Sequence, residues 1–390
     1  MRKSSPLISP KGILGAVAVA TGALLNLHPA FAGDNGIATR SYVKTNLVSD
    51  IAGMARVTDP HLKNPWGMAA SPNTPTSPGS PLWVSDNHAG VSTLYDGAGN
   101  PQPSATQPLV VSIPAPPSAG SDAVGAPDGV VFNTFDQAAT DFVIAKNGAS
   151  GPSSFLWATE DGTIVGWNRS VDATHAVIAV DRSTESDSAG DVGAVYKGLA
   201  LVNTSAGKFL YASNFRFGTV EAFDSNFKLV NSFTDPTVPA GFAPFGIHNI
   251  GGKLYVTFAL QGAGKMDDDA RPGNGFVDVF APSGVLLQRF TSRGKLDSPW
   301  AVTLAPSSFG VFGGDILVGN FGDGRINAFD PTSGAFLGQL REAAGPLTIP
   351  GLWGLRFGTG AFGLDTNTLY FTAGINDEAD GLLGDIVPND

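Results

Sequence analysis

The 390-residue sequence contains no cysteine and few charged residues. The absence of cysteine excludes disulfide bonds, thiol nucleophiles and thiolate metal sites, so burial of apolar groups must stabilise the folded chain. Only 15% of the residues are charged, and the net charge is −11. Because this charge repels a phosphate backbone, we expect no nucleic-acid partner. The remaining composition, with 42% hydrophobic residues, 50 Gly and 28 Pro, is typical of many short strands joined by tight turns.

The first 32 residues have the pattern of a signal peptide. A basic start and an apolar stretch from Ile13 to Leu25 precede the small-residue cleavage site Ala30-Phe31-Ala32. The alternative is an uncleaved membrane anchor, but the apolar stretch is short for a span. We therefore expect a signal peptide at residues 1–32, a linker at residues 33–41, no membrane insertion after cleavage, and a secreted or periplasmic protein.

One pattern recurs along the rest of the chain. An apolar run ends in small and polar residues, a glycine follows, and a second apolar run ends in Asp, as in Leu82–Asp96, Phe209–Asp224 and Asp315–Asp330. Such self-similarity marks units that bury their apolar faces only by stacking on their neighbours. Six short motifs that end in a small residue begin the units, at residues 64–67, 126–129, 195–198, 243–246, 298–301 and 350–354. The repeats predict an all-β, six-bladed β-propeller over residues 42–390.

The sixth unit has only three strand-like runs, so its sheet would have an unpaired edge. The run Tyr42–Val48 precedes the first unit and has the composition of a strand. We predict that it completes the last blade and closes the ring, as in other propellers. A two-domain alternative would place a boundary at the Pro-rich stretches 71–81 or 101–121, but the blade pattern resumes beyond both.

The repeated segments resemble NHL-type propellers. More narrowly, the chain is similar to an uncharacterised bacterial family of exported propeller proteins in its segments 45–50, 64–67, 83–87, 158–162 and 373–382. The resemblance covers residues 42–386 and implies a propeller fold, but it implies no activity and no catalytic residue. That family is often found in genomes with Pro-Glu-Pro carboxy-terminal sorting. The end of this chain, residues 384–390, lacks the tripeptide, so we do not expect anchoring by that route.

The loops that begin the innermost strands and those that join second to third strands should open on one face, around the channel. The binding residues that we expect on this loop face are Trp66, Asp86, Asn87, Glu160, Asp161, Asn214, Phe245, Trp300, Asn320 and Trp353. The tryptophans could either wedge the blades together or form a stacking platform for a sugar or aromatic ligand. The exposure of their rings distinguishes these alternatives.

Two sets of oxygen-bearing residues are candidate ligands for Ca²⁺ or another divalent cation. The first set ends the second strands, at Asp86, Glu160, Asn214 and Asn320. The second set lies in an acidic segment before Gly381, at Asn376, Glu378 and Asp380. In both sets the alternative is structural, because Asp and Asn side chains form turns by accepting hydrogen bonds from nearby backbone amides.

His88 and His248 are the candidate acid–base residues, although a histidine on a strand is more often a packing residue. The sequence contains neither a Gly-x-Ser-x-Gly elbow nor a His-Glu-x-x-His pair. These features predict a secreted, non-catalytic binding or scaffolding propeller that recognises an extracellular protein or glycan through its loop face. The alternative is a divalent-metal-dependent lyase or lactonase that acts at the central channel, and a purely structural matrix protein is a third interpretation.

Overall fold

The computed structural model describes residues 41–133 and 140–389. These residues form six blade sheets and two separate two-stranded hairpins, which confirms the predicted all-β, six-bladed propeller. The predicted signal peptide and nearly all of the predicted linker lie outside the described residues. Within the described ranges, no helix has the length and apolar character that crossing a membrane requires.

The strands follow the chain blade by blade. Two strands precede the first blade, namely β1 (Ser41–Ser49) and β2 (Val57–Thr58). Blade 1 contains β3 (Pro65–Ala69), β4 (Leu82–Asp86), β5 (Val91–Tyr95) and β6 (Val111–Ser112). Blade 2 begins with β7 (Pro127–Phe132), carries the separate hairpin β8 (Val143–Lys146) and β9 (Ala149–Pro152), and ends with β10 (Phe155–Thr159), β11 (Thr163–Trp167) and β12 (Val177–Asp181). Blade 3 contains β13 (Tyr196–Thr204), β14 (Gly207–Asn214), β15 (Thr219–Asp224) and β16 (Leu229–Phe233).

The second half of the ring repeats this arrangement. Blade 4 contains β17 (Phe242–Ile250), β18 (Lys253–Leu260), β19 (Phe276–Phe280) and β20 (Leu286–Ser292). Blade 5 contains β21 (Pro299–Leu304), β22 (Ile316–Asn320), β23 (Ile326–Phe329) and β24 (Phe336–Gln339), followed by the short hairpin β25 (Arg341–Glu342) and β26 (Gly345–Pro346). Blade 6 contains β27 (Leu352–Phe357), β28 (Leu369–Ile375) and β29 (Asp380–Asn389). Within the described part of the chain, short 3₁₀ helices lie at Asn87–Ala89, Pro117–Ala119 and Gly310–Phe312.

The first strand closes the ring, as predicted. Strand β1 pairs antiparallel with β29, with Thr45 opposite Asp385, and the sheet order is β2-β1-β29-β28-β27. The Ser49 hydroxyl donates a hydrogen bond to the carbonyl oxygen of Gly381 at 2.7 Å. Since the amino-terminal strand supplies the fourth strand of blade 6, the edge of β29 is covered.

The recurrent residues of the sequence pattern are turn residues. The glycines that precede the third strands have φ between 64° and 79°, a left-handed conformation that favours glycine, at Gly90, Gly162, Gly218 and Gly324. The recurrent Asp at the end of the third strand accepts backbone hydrogen bonds. In blade 3, for example, the Asp224 carboxylate accepts from the amides of Asn226 and Lys228 at 2.9 and 3.0 Å. This part of the repeat therefore encodes turns rather than a site.

The small residue that ends each motif lets neighbouring inner strands approach closely. These residues form a ring around the axis, at Gly67, Gly129, Gly198, Gly246, Ala301 and Gly354. A Cβ added to Gly354 would lie 2.6 Å from the carbonyl oxygen of Trp66 in the next blade, and one added to Gly246 would lie under 3.0 Å from that of Trp300. Large aromatic clusters then fill the space between blades, such as Trp83 stacked on Phe155 at 4.3 Å.

Candidate functional site

Four of the predicted site residues form an aromatic plug at the motif end of the inner strands (Trp66, Phe245, Trp300 and Trp353). Trp66 and Trp353 stack with ring centroids 3.5 Å apart, and Trp300 meets Trp66 edge-on at 6.1 Å. Phe245 lies 5.8 Å from Trp353. All four side chains are between 0% and 3% exposed, so they pack against one another and offer no free face for a ligand to stack on.

Blades 2 and 3 place charged residues at the positions that carry aromatic residues elsewhere. The Lys197 ammonium is buried, forms an ion pair with Glu160, and lies 3.8 Å from a carboxylate oxygen of Asp267 and 5.0 Å from the Trp66 ring centroid. Burial by itself would lower the pKa of Lys197, but attraction and hydrogen bonding to Glu160, together with attraction to Asp267 and Asp128, outweigh it and the pKa is raised. Burial also raises the pKa of Asp128 well above its usual range. Lys197 is therefore a permanent cation rather than a nucleophilic amine.

A hydrogen-bond network connects the loops in front of the plug. The Asn87 side-chain amide donates to Glu160 at 2.8 Å, which joins blade 1 to blade 2, and Lys197 joins both to blade 3. Asn64 donates to Glu378 of blade 6 at 3.0 Å, and its own side-chain oxygen accepts a hydrogen bond from the Trp353 indole at 3.0 Å. The network therefore fixes the loops of several blades against the plug.

The other predicted strand-end residues bond mainly within their own blades. Asp86 accepts a hydrogen bond from Thr93 at 2.7 Å, and Asn214 donates to Glu221 at 3.1 Å. Asn320 donates to the carbonyl oxygen of Lys295 and to Asp323, and Asp161 accepts from the Ala126 amide. Among the described residues, no group of three His, Asp or Glu side chains is arranged to hold a metal ion. The contacts of these strand-end residues are structural hydrogen bonds, and a shared cation site there stays a prediction.

The acidic segment near the carboxy terminus forms a left-handed turn. Asn376, Asp377 and Glu378 have φ of 55°, 52° and 66°, where the other blades use glycine. Asn376 donates to Asp380 at 2.9 Å, while Glu378 is directed to Asn64. The candidate ligands Asn376 and Asp380 therefore bond each other, and Glu378 belongs to the loop network.

A cavity of about 340 Å³ lies along the inner strands beyond the ring of small residues. All six blades contribute to its lining, and His248 and Arg356 are its titratable lining residues. The His248 Nε2 donates a hydrogen bond to the Trp300 carbonyl oxygen at 3.0 Å. In this tautomer the other ring nitrogen, Nδ1, carries the lone pair. Burial lowers the pKa of His248 to about 4, with repulsion from Arg356 contributing, so the imidazole is neutral at pH 7. His88 is exposed on the loop face instead.

The sequence reasoning missed Arg356, although its position carries a signal. Counted from the small residue of each motif, the second residue is apolar in the first three blades, at Ala69, Val131 and Ala200, and polar in the last three, at His248, Thr303 and Arg356. All six of these residues line the cavity. Aligning the six motifs would have revealed this division.

No protein-family model matches the chain. The uncharacterized proteins R648 and L690 of Acanthamoeba polyphaga mimivirus are 34% and 32% identical to it over 349 and 353 residues, which cover 87% of this chain and 78% and 84% of the viral proteins. These relatives are viral, whereas the sequence resemblance predicted a bacterial family. Among solved structures, virginiamycin B lyase from Staphylococcus aureus is similar with 14% identity and a TM-score of 0.47, over 89% of this chain and 99% of the lyase.

Proposed function

The chain belongs to the same family as the uncharacterized mimivirus protein R648, and from that premise we propose that it is a non-catalytic binding or scaffolding propeller. In this proposal it is secreted or periplasmic and recognises an extracellular protein or glycan through its loop face. One observation supports the proposal above others: the aromatic plug closes the loop-face end of the channel, behind loops that the Asn87–Glu160–Lys197 network holds together. A channel closed at this end and fixed loops make this face a continuous, preorganised platform, which suits recognition.

Two ionisable groups of the platform, Lys197 and Glu378, are engaged in structural contacts. Lys197 remains protonated between carboxylates, and Glu378 accepts a hydrogen bond from Asn64. Groups that act as acids, bases or nucleophiles need a perturbed pKa together with access to a substrate. Lys197 has its pKa shifted away from neutrality and is 3% exposed, so it fits a scaffold better than a catalytic centre.

The exposed part of the platform contains a protruding loop of blade 4. The Asp267 side chain is 84% exposed and Met266 is 38% exposed, and the Arg216 guanidinium lies 3.5 Å from the Met266 sulfur. A flexible apolar side chain beside charged groups is typical of a surface that adapts to a macromolecular partner. Met266 and Asp267 are therefore the residues whose change should affect binding while leaving the fold intact.

The test is a glycan array together with affinity capture from the extracellular fraction of the native source. The unaltered protein is compared with the double variant Met266→Ala and Asp267→Ala, and with a control, Leu287→Ala, which removes an exposed side chain from the outer strand β20. We expect the face variant to lose the captured partner or glycan and the control to retain it. Equal binding by the two variants would remove the loop face from consideration.

A further inference from the structure

The central cavity contains a cation that lacks a carboxylate partner. Arg356 Nη2 donates to the carbonyl oxygen of Ala70 at 3.0 Å, while its Nε is buried and has no hydrogen-bond partner among the described residues. The described lining of the cavity includes neither Asp nor Glu. A guanidinium has five N–H donors, so one backbone bond leaves most of its capacity unused.

The position of Arg356 inside the ring is unfavourable for a charged group. Loss of hydration inside the ring lowers the pKa of Arg356 to about 10, and the group stays charged at pH 7. Arg356 is half-buried, and a charge that is partly removed from water without an ionic partner costs stability. Because the Ala70 bond uses only part of its donor capacity and the described lining offers no carboxylate, Arg356 is better explained by an anion that enters the cavity.

The rest of the lining shows what kind of anion would fit. The polar wall comes from consecutive blades through His248, Thr303 and Arg356, and the apolar wall comes from the other three blades through the residues named above. A volume of about 340 Å³ is at the lower end of the range for small-molecule pockets. We propose that the cavity binds a small organic acid, with its carboxylate paired to the Arg356 guanidinium and its hydrocarbon part against Ala69, Val131 and Ala200.

This site is separate from the loop face. The proposed macromolecular partner meets the loops in front of the aromatic plug, whereas the acid lies beyond the ring of small residues, and Trp300 belongs to both the plug and the cavity lining. An arginine pairs with a carboxylate through two parallel hydrogen bonds, and the orphaned Nε is one of the donors that such a pair uses. Free phosphate has the charge but no apolar part, so it serves as the comparison anion.

Isothermal titration calorimetry at pH 7 tests the site. The probes are the straight-chain acids from butanoate to octanoate, benzoate, hexanamide as the neutral counterpart of hexanoate, and inorganic phosphate. We expect one molecule of acid per chain, with hexanoate binding at least about tenfold tighter than hexanamide or phosphate, a ratio that corresponds to roughly 1.4 kcal/mol. Equal affinity for hexanoate and hexanamide, or no binding of any acid of the series, would overturn the proposal.

Two variants assign the binding to the cavity. Arg356→Met keeps an unbranched apolar stem and removes the guanidinium, so we expect hexanoate to bind about 30-fold more weakly or worse. Arg341→Met makes the same change at an exposed site outside the cavity and should leave the affinity unchanged. Unchanged hexanoate binding by Arg356→Met would refute the pairing. Should Arg356→Met fail to fold, the comparison of hexanoate with hexanamide in the unaltered protein still decides.

Discussion

Substitution of Gly354 by Ala tests whether the ring of small residues sets the packing of the inner strands. The added Cβ would lie 2.6 Å from both the Trp66 carbonyl oxygen and the Thr372 hydroxyl, whereas ordinary contacts begin at 3.4 Å. Neither neighbour is free to move, because the Thr372 hydroxyl accepts a hydrogen bond from the Gly354 amide at 2.9 Å and donates one to Trp66. The overlap therefore falls on the hydrogen bonds that join blade 6 to blade 1.

The expected loss of stability follows from these contacts. Overpacking of a buried site costs about 1–3 kcal/mol, and a broken buried hydrogen bond adds about 1 kcal/mol. We expect Gly354→Ala to lower the free energy of unfolding by about 3 kcal/mol, measured by urea unfolding with tryptophan fluorescence. The matched control is Gly264→Ala, where a Cβ meets no atom within 4 Å, so its free energy of unfolding should change by less than about 1 kcal/mol. Equal midpoints for the two variants would refute the close-approach argument.

Three further predictions concern the cavity, the loop network and the ring closure. The folded state lowers the pKa of His248 from 6.5 to about 4. Between pH 6.5 and pH 4, His248 is therefore protonated in the unfolded chain and neutral in the folded chain. The free energy of unfolding should therefore drop by up to roughly 3 kcal/mol as the pH falls through this range. Urea unfolding at pH 7.5 and 4.5 should show a smaller drop for His248→Gln than for the unaltered protein, and an equal drop would contradict this assignment. Lys197→Met should cost about 3 kcal/mol because it leaves the largely buried Glu160 carboxylate without its cation. The double variant with Glu160→Gln should regain part of that loss in the same assay, whereas additive losses would argue against the pair. Deletion of residues 1–49 should expose β29 and yield oligomers in size-exclusion chromatography, in contrast to a deletion of residues 1–38; a stable monomer would show that β1 is dispensable.

The fold was predictable because its turn chemistry repeats in the sequence. Left-handed glycines such as Gly218 and turn-forming aspartates such as Asp224 recur at the same place in the blades, and each has a local backbone reason to be there. The closing strand could be predicted as well, since an unpaired edge in blade 6 requires a partner. Patterns that arise from local backbone requirements are visible without knowledge of the tertiary structure.

The site was less predictable because it depends on contacts between blades. The sequence placed Trp66, Trp300 and Trp353 at the start of inner strands, but only the packing shows that their rings close one end of the channel. Asp86 and Asn320 look equivalent in the repeat, yet their side chains bond different partners in their own blades. Arg356 was not predicted because a single charged residue in an apolar strand indicates a site only when the six inner strands are aligned around the axis.

The closure of the ring through β1 also constrains how the chain is made. Ser49 and Gly381, which share a hydrogen bond in the folded protein, are 332 residues apart. At translation rates of about 5–20 residues per second, strand β29 emerges from the ribosome roughly 15–70 s after β1. During that interval the edge of β1 is open to other chains, so a nascent propeller of this design needs either a holding chaperone or delayed folding until synthesis is complete.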